Sequence, residues 1–144
     1  MKALVVGCGR VGSTLARSLQ GSGWDVSAVD ETEDALTRLG ESWPGEFHLG
    51  HGMDTKVLEA AGIADADAVI VATDGDNTNI VVAQVAKERY GIESVGVRIH
   101  DPARAEFYGD RGLHVVSPTR EAIRNLEAWA QGTQSASGNG TGNG

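Results

Sequence analysis

Apolar and polar positions along the chain follow two alternating periods. Short apolar runs recur, and AVIVAT at 68–73 is the clearest, because it is rich in the β-branched residues that buried parallel strands favour. Between such runs, apolar residues return at helical spacing, as Val11, Leu15 and Leu19 do. The pattern predicts strands at 3–7, 25–30, 46–49, 68–73, 95–99 and 114–116. It predicts helices at 11–19, 31–39, 55–61, 77–90, 103–108 and 119–130.

This alternation of strands and helices is typical of an α/β fold. We expect a Rossmann-type, doubly wound, six-stranded parallel sheet with helices on both faces, formed by residues 1–131 as one domain. Residues 133–144 read TQSASGNGTGNG and contain no apolar side chain larger than alanine. Burying such a segment cannot offset the entropy lost on ordering it, so a flexible Gly/Ser/Asn tail is predicted at 132–144.

Composition and charge narrow the classes of partner. The net charge of the 144-residue chain is -8, and its lysines and arginines are scattered. This argues against nucleic-acid binding and against a basic membrane-binding patch. No apolar run approaches the roughly 18 residues of a membrane span, so direct membrane insertion is not expected. The single cysteine, Cys8, cannot form an internal disulfide, which favours a cytoplasmic protein.

The stretch VGCGRVGSTL at 6–15 contains glycines in the order G-x-G-x-x-G. It follows a predicted strand directly and opens a predicted helix, which is the setting that a dinucleotide-binding turn requires. Gly7 would allow a tight turn, Gly9 would let the backbone approach a pyrophosphate, and Gly12 would let the helix pack closely on the sheet. The free N–H groups at the helix start would attract the phosphates, so Val11 is a further candidate.

Asp30 ends the second predicted strand, 18 positions after Gly12. An acidic side chain there can accept hydrogen bonds from ribose hydroxyls and would repel a 2′-phosphate, which favours NAD over NADP. The alternative is that Asp30 caps the next helix. Arg10 could reach a phosphate, including the γ-phosphate of ATP, or could be a solvated side chain at the helix start.

Two further strand ends supply polar candidates, because ligands of such sheets bind at the carboxyl ends of the strands. Thr73 follows the fourth strand and could line the path of the cofactor, whereas residues 76–79 could equally form only the N-cap region of the long helix. Arg98 alternates with the apolar positions of the fifth strand. It is therefore either a polar group with a task at the sheet edge or part of a surface salt bridge.

The sequence contains no recognisable set of catalytic residues. The Tyr-x-x-x-Lys pair of single-domain reductases does not occur, since Tyr90 is followed four residues later by Ser94 and Tyr108 by Gly112. A hydride-transfer enzyme also needs a substrate pocket and an acid or base beside it. We therefore predict no catalytic residue. His48, His51 and Asp54 are closely spaced, but a loop triad without a cysteine or an H-E-x-x-H helix is a poor metal signal, so no metal site is predicted.

Taken together, the motifs resemble the N-terminal domain of the RCK family, the regulators of K⁺ conductance, also called the TrkA-N domain. The resemblance covers roughly residues 2–129. Besides Asp30, it rests on GCGRVGSTLARSL, on VLEAAGIADADAVIVATDGDNTNIVVAQVAK and on VRIHDPARAEFYGDRGLHVVSPTREAI. The second of these stretches combines a Leu-Glu helix, Ala-Gly-Ile, an acidic turn, a buried strand and Thr-Asp, which generic dehydrogenases do not share.

The resemblance implies a site for NAD(H) or ATP/ADP, lined by the motif glycines, Arg10, Asp30, Thr73 and Arg98. His51 stands where the family commonly carries an acidic residue that reads adenosine. The resemblance also implies a cytoplasmic regulatory subunit that gates a Trk/Ktr-type potassium-uptake protein and lies at the inner face of the plasma membrane through that partner. Residues 114–130 resemble the segment with which such domains dimerise. We therefore expect a homo-oligomer, either a dimer or a higher ring, or a hetero-oligomer with a second RCK subunit.

Three hypotheses follow. The leading one is a binding and gating subunit without enzymatic activity. The alternative is a small NAD-dependent oxidoreductase, which rests on the glycine fingerprint alone. The third is a Rossmann domain that binds no nucleotide and serves only as a scaffold for assembly.

Overall fold

The computed structural model describes residues 1–139, with side chains over residues 1–133. The strands of this part of the chain are β1 (Lys2–Val6), β2 (Asp25–Asp30), β3 (Glu46–Leu49), β4 (Ala68–Val71), β5 (Ser94–Arg98) and β6 (His114–Val116). The α-helices are α1 (Arg10–Gly21), α2 (Asp34–Leu39), α3 (Thr55–Ala60), α4 (Asp76–Gln84), α5 (Pro102–Gly109) and α6 (Pro118–Asn139). A 3-10 turn, Ile63–Asp65, precedes β4.

The strands form one parallel sheet in the order β3-β2-β1-β4-β5-β6. The order changes direction between β1 and β4, and ligands of open α/β sheets bind in the crevice at that point, beside the carboxyl ends of the strands. The predicted doubly wound, six-stranded parallel sheet is confirmed. Its switch point lies next to the glycine-rich turn, because that turn follows β1.

Helices cover both faces of the sheet, as predicted. On one face, α1 and α2 bury Ala16, Ala35 and Leu39 against the small side chains of β1 and β2. On the other face, the larger core includes Leu58 of α3 and Ala105 of α5, together with apolar residues of α4. The central strands β1, β2 and β4 therefore contribute alternate residues to the two cores, which is why β1 and β4 read as nearly continuous apolar runs.

Three helices differ from the prediction by three residues or more at one end. The helix predicted at 31–39 begins only at Asp34. The helix predicted at 77–90 is α4 followed by a π-helical turn, Val85–Arg89. The helix predicted at 119–130 runs to Asn139, so the backbone at 132–139 is helical where a flexible tail is expected. Extending a formed helix costs far less than nucleating one, so the first residues of the Gly/Ser/Asn segment follow α6 despite their composition. The remainder of the predicted tail, 140–144, lies outside the described residues, and the domain boundary at 131 stays a prediction.

Within the described part of the chain, no helix combines the length and the apolar character needed to cross a membrane.

Candidate functional site

The glycine-rich turn joins β1 to α1 at the centre of the sheet. Gly7 has a φ of 93°, in the left-handed region that favours glycine. A Cβ at this position would lie 2.6 Å from the backbone nitrogen of Thr73. The predicted tight turn is therefore present, and it lies so close to the end of β4 that only glycine fits.

The other two glycines of the motif have opposite surroundings. A Cβ on Gly12 would overlap the carbonyl oxygen of Gly7, because α1 packs directly on the turn. A Cβ on Gly9 would meet nothing within 4 Å, and Gly9 lines an open cleft. Gly12 thus allows the close packing of the helix, while Gly9 leaves space for a ligand at the start of α1.

Asp30 joins the end of β2 to the glycine turn. Its Oδ2 accepts a hydrogen bond from the Cys8 N–H at 2.7 Å, and its Oδ1 accepts from the N–H and the hydroxyl of Thr32 at 2.9 and 3.0 Å. Helix α2 begins only at Asp34 and has Glu33 at its N-cap position, so Asp30 does not cap it. A carboxylate offers about four acceptor positions, so the three protein bonds leave about one for a ligand.

The cleft has a volume of about 410 Å³ and opens at the carboxyl ends of the strands. This volume is within the range of small-molecule sites, roughly 300–1,000 Å³. Five of the predicted site residues line the cleft, namely Gly7, Gly9, Asp30, His51 and Thr73. The loops after β2, β3 and β4 and the first turn of α4 add residues that sequence reasoning did not select, among them Glu31, Thr32, Gly50, Gly52, Asp74, Gly75 and Thr78.

The remaining predicted site residues, Arg10, Val11, Gly12 and Arg98, are not among those that line the cleft. Arg10 and Val11 occupy the first turn of α1 with exposed side chains. The first N–H groups of a helix lack intrahelical partners, so this turn presents backbone donors beside Gly9. The phosphate-binding role of these two residues stays a prediction that rests on this placement.

A buried amide fastens the loop that follows β4. Asn79 is fully buried, and its Nδ2 donates to the carbonyl oxygens of Thr73 and Arg98 at 3.0 and 2.8 Å, while its Oδ1 accepts from the Thr73 N–H at 3.0 Å. Sequence reasoning treated 76–79 only as a possible cap region. The available signal was a polar residue on the same side of α4 as the buried Ile80 and Ala83.

Arg98 supports this loop from behind rather than lining the cleft. Its Nη2 donates to the Thr73 carbonyl at 2.7 Å and lies 3.3 Å from the carboxylate of Asp74. The side chain of Arg98 is only 14% exposed, and its Nε is buried without a hydrogen-bond partner. The salt bridge that the sequence offered as the alternative is thus present, and it joins Arg98 to the loop that lines the cleft.

Arg38 is a cleft residue that sequence reasoning missed. It lies in the last turn of α2, and its Nη1 donates to the carbonyl oxygen of Cys8 at 3.1 Å. It is the only lysine or arginine among the residues that line the cleft, where Asp30, Glu31 and Asp74 supply negative charge. No local pattern relates positions 8 and 38, because the contact arises from the packing of α1 against α2.

His51 lies at the rim of the cleft, half exposed. Its Nδ1 accepts a hydrogen bond from the Met53 N–H at 3.1 Å, which leaves the ring proton on Nε2 in the neutral form. That nitrogen is 3.6 Å from the carboxylate of Glu31. His51 therefore offers the cleft an N–H donor where an acidic side chain would offer acceptors.

Cys8 is fully buried beneath the turn. Burial, assisted by the negative charge of Asp30 and opposed by Arg38, raises the pKa of its thiol to about 12. The thiol is therefore protonated at neutral pH and fills space in the smaller core. It is not a nucleophile of the site.

The cleft suits an anionic ligand with a ribose. It combines the open backbone at Gly9, the start of α1, one remaining acceptor position on Asp30 and the guanidinium of Arg38. Over the described residues, no group of three or more His, Cys, Asp or Glu side chains could hold a metal ion.

Solved structures with the same fold match almost the whole chain. The Kef CTD of Shewanella denitrificans in its AMP-bound form is 22% identical with a TM-score of 0.76, and the match covers 93% of this chain and 82% of that one. GsuK bound to ADP is 22% identical with a TM-score of 0.73, over 88% of this chain and 33% of that one. The GsuK channel bound to NAD is 22% identical with a TM-score of 0.64, over 81% of this chain and 21% of that one. At these identities the likeness concerns the fold.

Relatives in sequence are nearer. The Trk system potassium uptake protein TrkA of Streptomyces coelicolor is 42% identical over 120 residues, which are 83% of this chain and 54% of that protein. The TrkA homolog of Methanothermobacter thermautotrophicus is 34% identical over 128 residues, 88% of this chain and 59% of that protein. The chain thus spans a little over half the length of these relatives. The TrkA-N domain matches residues 3–118, and the chain belongs to the TrkA-N domain family.

Proposed function

We propose that this chain is the nucleotide-binding part of a regulatory subunit of a Trk-type potassium-uptake system. It binds NAD(H) or ATP/ADP in the cleft beside the glycine turn and gates a membrane-embedded potassium transporter. It acts by binding and not by catalysis, at the inner face of the plasma membrane through its partner. The observation that carries this proposal is a cleft of about 410 Å³ formed by the glycine turn, Asp30 and Thr73 in a chain of the TrkA-N domain family.

The named relatives support the choice of system, and the ligands of the fold neighbours support the choice of nucleotide. The relatives at 42% and 34% identity are Trk potassium uptake proteins. The neighbours were solved with AMP, ADP and NAD, which share an adenosine 5′-phosphate. The ribose acceptor on Asp30 and the backbone donors at the start of α1 suit that shared part.

A continuous set of contacts links the cleft to the last elements of the fold. At the end of α4 nearest the cleft, the carboxylate of Asp76 accepts from the N–H groups of His100 and Asp101 at 2.7 and 3.0 Å. Burial opposes the effect, but these two N–H groups hold the pKa of Asp76 below its usual value. Ser117, at the start of α6, donates to the His100 carbonyl at 3.4 Å. A nucleotide that moves the loop after β4 would thereby bias the position of α6, and differential binding to two arrangements is the requirement for gating.

Helix α6 supplies the surface for self-association in this proposal. Ile123, Leu126 and Trp129 recur at helical spacing along it and are 53%, 67% and 57% exposed. An apolar row of this kind on a helix marks an interaction site. We take its occupant to be α6 of a second copy of the chain, so that Leu126→Glu should convert a dimer or higher ring to monomers in light scattering. Self-association unchanged by Leu126→Glu would refute this part, and a monomeric wild type would direct the search to a second RCK subunit.

Calorimetric titration of the purified chain with NAD, NADH, ADP and ATP tests the nucleotide site. A ligand at about 100 times its dissociation constant stabilises the fold by about 2.7 kcal/mol, so a thermal-shift measurement provides an independent readout. Asp30→Ala should weaken NADH and ATP alike, because both carry the ribose that Asp30 contacts. Asp25→Ala is the matched control, since Asp25 begins the same strand at the opposite edge of the sheet.

Asp30 also ties the turn through Cys8 and Thr32, so the titrations are made well below the melting temperature of each variant. Unchanged affinity in Asp30→Ala would refute the ribose contact. Failure of the wild type to bind any of the four nucleotides would refute the nucleotide site and favour a scaffold. Turnover of NADH with a carbonyl substrate, lost in Asp30→Ala, would instead favour the small oxidoreductase.

A further inference from the structure

Asp30 and Arg38 bind the backbone of the same residue of the glycine turn, Cys8. The Asp30 carboxylate accepts from the Cys8 N–H at 2.7 Å, and the Arg38 guanidinium donates to the Cys8 carbonyl at 3.1 Å. Both side chains line the cleft, so an acid and a base stand together at its β2 side. The bond to Cys8 engages one of the five N–H donors of the guanidinium, and the side chain of Arg38 is exposed.

This end of a dinucleotide-binding cleft is where the adenosine ribose is recognised. An acidic residue at the end of the second strand accepts the ribose 2′-hydroxyl in NAD-binding domains, whereas a nearby arginine accommodates the 2′-phosphate in NADP-binding ones. This chain carries both groups. Arg38 therefore lies on the side of the cleft where Asp30 ends β2, since both side chains bind Cys8.

The hydrogen bonds of Asp30 limit how many ribose hydroxyls it can accept from. Its two oxygens already accept from the Cys8 N–H, the Thr32 N–H and the Thr32 hydroxyl. About one acceptor position remains, enough for one ribose hydroxyl and not for two. If Asp30 accepts from the 3′-hydroxyl, a phosphate on the 2′-oxygen needs a hydrogen-bond donor. Arg38 is the cationic donor that lines the cleft.

We propose that Arg38 is a specificity-determining residue that reads the 2′ position of the adenosine ribose. The cleft accordingly accepts 2′-phosphorylated adenine nucleotides, the NADP(H) class, as well as the unphosphorylated forms. The inference rests on the proposed function, because it assigns a ligand contact within the same cleft. It revises the expectation that Asp30 alone favours NAD over NADP.

Titration of 5′-AMP and of adenosine 2′,5′-bisphosphate isolates this contact, because the two ligands differ only in the 2′-phosphate. NADH and NADPH form the corresponding dinucleotide pair. The wild type should bind the bisphosphate at least as tightly as AMP. A hydrogen bond between charged groups is worth enough that Arg38→Ala should weaken the bisphosphate by roughly 10- to 100-fold, with AMP little changed. Arg38→Lys should fall between the two, because lysine keeps the charge and loses the planar fork.

Arg17→Ala is the matched control, since Arg17 is an exposed arginine of α1 outside the cleft, and it should change neither ligand. Ligand-free Arg38→Ala loses the hydrogen bond to Cys8, so its melting temperature should fall by a few degrees at most, and the titrations are made well below it. Wild-type protein that binds AMP and NADH but neither 2′-phosphorylated ligand would overturn this inference and leave the proposed function intact. Equal losses for AMP and the bisphosphate in Arg38→Ala would also overturn it, because Arg38 would then only hold the turn. Absence of binding for these four ligands, and for ADP and ATP as well, would overturn both proposals.

Discussion

The same substitution at two glycines of one motif should separate folding from binding. Gly9→Ala places a methyl group in open space, since nothing lies within 4 Å of its Cβ, and the φ of -73° suits alanine. Gly12→Ala places the methyl group on the carbonyl oxygen of Gly7. Backbone atoms cannot rotate out of the way as a side chain can, so helix α1 must move off the sheet.

Gly12→Ala should mainly lower the stability of the fold, whereas Gly9→Ala should mainly lower the affinity for the nucleotide. Overpacking a dense interior costs typically 1–3 kcal/mol, and the rigid obstacle puts Gly12→Ala at about 3 kcal/mol or more. For a domain of this size that is a fall of about 10 °C in melting temperature. Gly9→Ala should change the stability by less than about 1 kcal/mol, because the restriction of the unfolded chain by alanine is opposed by the lower preference for alanine at the N-cap of α1. Its methyl group would instead keep a pyrophosphate away from the turn, and the affinity for NADH should fall about tenfold or more.

Urea unfolding measures the first effect and calorimetric titration with NADH the second. Both variants are needed, since each is the control for the other. Gly9→Ala with wild-type affinity would show that the pyrophosphate does not approach Gly9. A loss of stability in Gly9→Ala as large as in Gly12→Ala would refute the geometric argument itself.

The remaining predictions concern the groups around the cleft. Asn79→Ala should lower the free energy of unfolding by about 2–4 kcal/mol, because it leaves the backbone groups of Thr73 and Arg98 without their buried partner. A loss below about 1 kcal/mol in urea unfolding would contradict this. Cys8 should react with a disulfide reagent in the unfolded protein and hardly at all in the native one at neutral pH, since its pKa is raised to about 12. Because only the unfolded chain forms the thiolate above its ordinary pKa of 9.0, the free energy of unfolding should fall as pH rises from about 9 towards about 12. Cys8→Ala should remove that part of the pH dependence, and an unchanged profile would refute it.

The local pattern of apolar and polar residues was sufficient to predict the order and type of the strands and α-helices. Strands β2, β3 and β6 have the predicted bounds. The roles of the motif glycines were also predictable from the sequence, since the tight turn at Gly7 and the close packing at Gly12 are requirements of the backbone alone. The ends of helices were less predictable, as α6 and the π-helical turn after α4 show, because propagation of a helix depends only weakly on each single residue.

The local sequence pattern predicted only some of the residues around the cleft. Asp30 and Thr73 were predictable because each ends a strand, and the carboxyl ends of parallel strands meet at one edge. Arg98 was expected in the site, yet it lies behind the loop, since only the packing of β5 beside β4 decides which side of Thr73 it reaches. Arg38 and Asn79 had no signal in spacing that tied them to their partners. Their contacts join residues brought together when helices pack on the sheet, and the choice among such long-range contacts is made by tertiary structure, not by sequence period.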